Sequence, residues 1–151
     1  MSIQNILSSI ETIKDWQEET YKYLHSHPEL SMQETHTAQF IYDTLVSYGY
    51  ETQKIGGGVV GVLKNGEGKK VLFRADIDAL PVKEETGLPY ASTVTMKDLD
   101  GNLVPVMHAC GHDVQHCSWI RSRLGYGTTS NRMDRNLHCF VPTRRRDCSW
   151  S

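Results

Sequence analysis

The first regular pattern in the chain is helical. Ile3, Ile6, Leu7, Ile10, Ile13, Trp16 and Leu24 recur at roughly three-to-four-residue spacing across residues 3–24, with Ser2 placed to cap the first turn. Pro28 ends that run, because it removes a helix donor and clashes with the preceding turn. A second helix is predicted from Ser31, which forms a Ser-x-x-Glu capping box with Glu34. It carries Ala38, Ile41 and Leu45 inward and stops at Gly49, where a left-handed residue is expected. The period then shortens. Gly58–Lys64 and Lys70–Asp78 are rich in Val, Leu, Phe and Ile, and the intervening Asn65-Gly66-Glu67-Gly68 predicts a hairpin turn. Residues 79–103 form a polar loop, and Val104–Met107 is a further short strand. Two helices, a hairpin and a strand predict an α/β arrangement.

From Gln115 onward the pattern fails. Residues 115–151 hold no helical stripe longer than one turn and no clean alternation, so this tail is expected to be irregular. Charge changes at the same point. Residues 1–115 carry eight Lys and one Arg against sixteen acidic residues, a balance of −7. Residues 116–151 carry seven Arg, no Lys and two Asp, a balance of +5, which completes the net charge of −2. Cys117, Cys139, Cys148, Trp119 and Trp150 crowd into the same tail. An Arg-rich tail of this kind suggests a nucleic-acid or membrane arm, and Arg144-Arg145-Arg146 reads as a solvated charge run, but no binding fold or regular basic stripe accompanies it, so no nucleic-acid partner is expected.

At 151 residues with 38% hydrophobic and 23% charged content, the chain can build one ordinary core. It has no run of eighteen apolar residues to span a membrane. Its acidic, amphipathic start lacks the basic, apolar and small-residue segments of a secretory signal. A cytoplasmic protein without a membrane partner is the expectation.

Two segments can carry chemistry. Met107-His108-Ala109-Cys110-Gly111-His112-Asp113 gathers two imidazoles, a thiol and a carboxylate. In an extended segment Cys110 and His112 face one side, and thiolate with imidazole suits zinc and similar metals. The same heptapeptide also reads as a loop with a reduced cysteine and solvated histidines. Arg74-Ala75-Asp76-Ile77-Asp78-Ala79-Leu80-Pro81 closes an apolar strand, with Asp76 and Asp78 on one face. A carboxylate there can orient a ligating histidine, or can simply end a strand in solvent.

Together with His25-Ser26-His27-Pro28-Glu29-Leu30-Ser31 and Glu34, these segments run in the order LHSHPELSMQETHTA, FRADIDALPVKEETGLPY, MHACGHDV. That order closely resembles the zinc aminoacylase and carboxypeptidase superfamily, in its branch of N-acyl-amino-acid amidohydrolases, hippurate hydrolases and auxin-conjugate hydrolases. The resemblance covers about residues 15–114, the N-terminal portion of a metallohydrolase catalytic domain. It implies Cys110 and His112 as metal ligands and Asp78 as the catalytic acidic residue that orients the metal site. It also implies two divalent ions in the intact family (zinc, manganese or cobalt) and a small N-acyl amino acid as substrate. In that family a metal-activated water attacks the amide, and a glutamate from a later Gln-Pro-Ala-Glu-Glu segment acts as base. Later histidines and an inserted dimerisation domain follow.

Those later parts are missing, since no Glu or Gln follows Gln115. Residues 1–114 are therefore expected to form a partial catalytic domain and 115–151 an out-of-frame tail belonging to no domain. Dropping the third base of the Gln115 codon yields His, and the following codons can then spell Thr-Ala, the family's usual continuation. Met133 before Asp134 forces Trp in that frame, and Phe140–Asp147 can spell Leu-Phe-Gln-Pro-Ala-Glu-Glu. A one-nucleotide insertion near Gln115 explains the tail, and the expected protein is a truncated, inactive amidohydrolase. The alternatives are a non-catalytic fragment or a small zinc module using Cys110, His112, His116 and Cys117. With its missing portion uncovered, such a fragment is expected to be poorly soluble.

Overall fold

A computed structural model of the chain describes residues 14–64, 69–118 and 135–141. Helices α1 (Lys14–Ser26) and α2 (Thr35–Ser47) precede strands β1 (Glu51–Ile55), β2 (Gly58–Leu63) and β3 (Lys69–Arg74). The short strands β4 (Thr95–Lys97) and β5 (Leu103–Pro105) follow, then helix α3 over residues 112–118 and strand β6 (Arg135–Val141). The predicted α/β class is what forms. The proposed Ser2 cap and the first helical turns lie outside the described residues, but α1 does stop before Pro28.

Helix α2 shows where local pattern misleads. The predicted Ser31–Glu34 capping box does not form. Glu34 occupies the N-cap position without a side-chain capping bond, and Ser31 sits in the preceding turn. Instead the Glu29 carboxylate accepts from the free amides of His36 (3.1 Å) and Thr37 (2.7 Å), the donors an N-cap side chain would serve. Its negative charge also complements the positive end of the helix. The other end follows expectation. Gly49 adopts φ 81°, its amide donates to Val46 O, and the Tyr50 amide reaches back to Leu45 O, which makes a Schellman ending.

The main sheet has the order β1-β2-β6-β3. The tight hairpin is β1–β2, where Gly56 (φ 60°) and Gly57 (φ 85°) give the two positive φ values of a type I′ turn. The hairpin predicted between β2 and β3 is overturned. β6 lies between them, antiparallel to β2 and parallel to β3, so Cys139 pairs in register with both Gly61 and Phe73. The tail expected to be irregular thus contributes an inner strand, and its first residues extend α3 to residue 118. The segment expected to form a strand at Val104–Met107 contributes β5, paired with β4 in a separate ribbon.

Ala38, Ile41 and Leu45 from α2 pack on Tyr50, Val59 and Ile77 to form the core. Each large aliphatic side chain buried there contributes about 1.5–3 kcal/mol. At Gly61 a Cβ would lie 3.1 Å from both Leu45 Cδ1 and Tyr50 Cδ1, so the missing side chain lets α2 approach the sheet. Beyond β3 the chain continues extended, bridging Leu30 through Ala79 and Met107 through Leu80. Leu30, Ala79 and Val106 form a second core cluster there. This crossing seats Asp78 between the segment after α1 and the segment before α3. Among the described residues, no helix is long and apolar enough to cross a membrane.

Candidate metal centre

Asp78 and His112 meet at this crossing. The Asp78 carboxylate is buried, with Oδ1 3.0 Å from His112 Nδ1, and the same ring nitrogen lies 2.8 Å from the Asp78 main-chain oxygen. Two acceptors on one side of the ring fix the proton on Nδ1 and leave the Nε2 lone pair for a Lewis acid. His112 keeps 19% side-chain exposure, so that lone pair is not sealed in the core.

Cys110 is exposed and free of a disulfide. The extended geometry inferred from the Cys-x-His spacing is not what occurs. Ala109 and Cys110 lie in a turn, Gly111 takes φ 73°, and His112 opens α3. The left-handed glycine turns the chain between Cys110 and His112, a conformation costly to any side chain. Asp76 also departs from expectation. Its carboxylate pairs with Arg74 at 2.5 Å on the surface, while Asp78 turns to His112, so the two acids serve different partners.

Three further histidines surround these groups. His116 is buried, with Nε2 donating to Asp76 O at 2.9 Å and Nδ1 without a partner among the described residues. Burial lowers its pKa to about 4, so it is neutral. His108 is also buried with Nδ1 unpartnered among the described residues, and burial again favours its neutral form. Cys117 is buried and its thiol is pushed up to about 12, which makes it inert. Among the described residues no three His, Cys, Asp or Glu side chains gather closely enough to hold an ion, so the zinc module through Cys110, His112, His116 and Cys117 does not form.

His25, which carries no role in the sequence reading, is bonded at both ring nitrogens. Its Nδ1 lies 2.7 Å from Asp113 Oδ2 and its Nε2 3.0 Å from Glu84 Oε1. Burial alone would lower its pKa, but the bonds to Glu84 and Asp113 outweigh this and raise it. Burial would likewise raise Glu84, yet bonds from Thr86, His25 and the Ser92 amide hold it below the ordinary carboxylate range. The separations of 59 and 88 residues leave no local trace of this cluster.

The donor set fits half of a divalent centre: a borderline thiol, an imidazole oriented through its far nitrogen, and the carboxylate that orients it. Residues 72–119 match Peptidase family M20/M25/M40. The chain is 42% identical over 112 residues to hippurate hydrolase of Campylobacter jejuni, covering 72% of this chain and 27% of that one. It is 44% identical over 95 residues to N-acyl-L-amino acid amidohydrolase of Geobacillus stearothermophilus, covering 61% and 23%. It therefore spans about a quarter of the length of the curated relatives it matches. In structure it resembles a putative aminohydrolase from methicillin-resistant Staphylococcus aureus, with TM-score 0.83 and 26% identity over 97% of this chain and 36% of that one. It also resembles the Bacillus subtilis YXEP protein, a dinuclear metal-binding peptidase of the M20 family, with TM-score 0.75 and 29% identity over 88% and 36%. By sequence and by fold, this chain belongs through its N-terminal part to the M20 family of peptidases and aminoacylases.

Proposed function

We propose that residues 1–114 are the ligand-bearing front of a metal-dependent amidohydrolase of N-acyl amino acids, and that these 151 residues alone do not turn substrate over. The observation that carries the metal role is the Asp78–His112 pair, which frees Nε2 of a ligating imidazole. Cys110 and His112 would hold the ion and Asp78 would keep the imidazole turned toward it. A bound divalent ion supplies Lewis acidity at the amide carbonyl. The names of the curated relatives support an acylated amino acid as substrate. Zinc, manganese and cobalt all suit the donors.

Hydrolysis needs a base as well, and no glutamate follows Glu85 in the 151 residues. The proposed cause is the change of frame near Gln115. One observation supports it: the family match ends at residue 119. We further propose a cytoplasmic location, in keeping with the free thiols of Cys110 and Cys117. A nucleic-acid partner does not belong to this reading.

The test starts with the coding DNA across codons 114–116, followed by expression of both the existing and the one-base-deleted frame. Hydrolysis of N-acetyl- and N-benzoyl-amino acids is assayed with zinc, manganese or cobalt. Activity only in the corrected frame is expected. Turnover by the 151-residue chain that disappears in Cys110→Ala would overturn the inactive reading.

A further inference from the structure

The His25 cluster joins three parts of the chain that sequence keeps far apart: the end of α1, the loop holding Glu84, and the first turn of α3 at Asp113. Both carboxylates are withdrawn from solvent, with side-chain exposures of 0% for Glu84 and 2% for Asp113. Their remaining oxygens are engaged. Glu84 Oε2 accepts from the Ser92 amide (2.6 Å) and Asp113 Oδ1 from the Val114 amide (2.8 Å), while Thr86 Oγ1 (2.5 Å) donates to the same Glu84 Oε1 that faces His25. An ionised carboxylate only accepts hydrogen bonds, so an imidazole bonded to one at each nitrogen must carry hydrogen on both. The ring is therefore a cation between two anions, walled by Tyr21 and Tyr90 at centroid distances of 5.4 and 5.6 Å. Removing one member of such a buried set leaves uncompensated charge, which makes the arrangement stiff.

Asp113 directly follows His112 in the first turn of α3, just past the turn at Ala109 and Cys110. Anchoring Asp113 therefore anchors the turn, and Gly111 at φ 73° cannot relax without carrying His112 off Asp78. We propose that His25 is a positioning residue: by clamping Asp113 and Glu84 together, it fixes the Cys110–His112 turn in place before any metal arrives. The clamp itself stands on geometry, while its consequence for metal rests on the function proposed above.

The experiment uses the full 151-residue chain, metal-free, as wild type, His25→Gln and Glu84→Gln. Amide hydrogen exchange is followed in a peptide covering residues 108–114 and in a core peptide covering 41–45, and each protein is then titrated with Co(II). The expected result is exchange about tenfold faster in the turn with the core unchanged, and Co(II) affinity about tenfold weaker. Unchanged exchange in the turn of both variants would refute the clamp. A loosened turn with unchanged Co(II) affinity would reduce His25 to a structural residue and overturn the positioning role. Should wild type bind no Co(II) while the turn still loosens, the metal reading fails and the clamp stands. If His25→Gln loses core protection too, Glu84→Gln decides, because it keeps the side-chain shape and removes only the charge.

Discussion

His112 Nδ1 faces two oxygens of a single residue, the carbonyl of Asp78 at 2.8 Å and its carboxylate at 3.0 Å. The carbonyl survives any substitution, so the side chain's own contribution is separable. Asp78→Ala is expected to weaken Co(II) or Zn(II) binding about tenfold, the low end for loss of an orienting partner. Asp78→Asn keeps an acceptor oxygen and should lose less. Calorimetric titration of the three proteins measures the order, and equal affinities would remove the orienting role from Asp78.

The capping of α2 gives a second contrast. Glu29→Ala strips two amides, that of Thr37 buried, of their acceptor and is expected to cost about 1–2 kcal/mol. Ser31→Ala, at the position that sequence alone would choose as cap, should stay within about 0.5 kcal/mol. Urea denaturation of both variants discriminates. A larger loss for Ser31→Ala would restore the capping box.

At the other end of α2, a Cβ added to Gly49 would meet only open space, so a substitution there tests backbone conformation alone. At φ 81°, Gly49→Ala should destabilise by about 1–2 kcal/mol despite the lack of any clash. An unchanged urea midpoint would show that the Schellman ending is not held in solution.

Acid should act first through His116. Its folded pKa of about 4 lies below the ordinary histidine value of 6.5, so the folded state resists protonation while the unfolded chain accepts it. Its contribution is complete above pH 6.5 and is lost as pH falls toward 4, by about 3 kcal/mol at most. His25 has the opposite sign. Facing Glu84, Asp113, Tyr21 and Tyr90, it gives its full stabilisation below 6.5 and loses it as pH rises through its elevated folded value. Stability against pH should therefore fall on both sides of neutrality, with the alkaline limb flattened in His25→Gln. Metal-free urea melts from pH 4 to 9 check both limbs, and a rise in stability on acidification from 6.5 would contradict the role of His116.

Sequence was informative where structure is local. The 3.6-residue stripe of Ala38, Ile41 and Leu45 specifies the buried face of α2, and Gly49 specifies its end, because both depend only on residues within a turn or two. The ligand candidates Cys110 and His112, with Asp78, were legible as residue types in an ordered set of segments. Their geometry was not: an extended Cys-x-His was expected, and a left-handed Gly111 with a helix start was found.

What tertiary structure decided are the contacts that close long loops. The turn-rich Asn65–Gly68 predicts that β2 and β3 are neighbours, yet β6, some sixty residues further on, pairs with both. Glu29 displaced Ser31 as the cap because the folded chain brings its carboxylate to the helix end. His25, Glu84 and Asp113 are bound together by charge across 59 and 88 residues, and no periodicity records such an encounter. Local propensities are set by neighbours along the chain. Partners of buried charge are chosen by what the completed core leaves within reach.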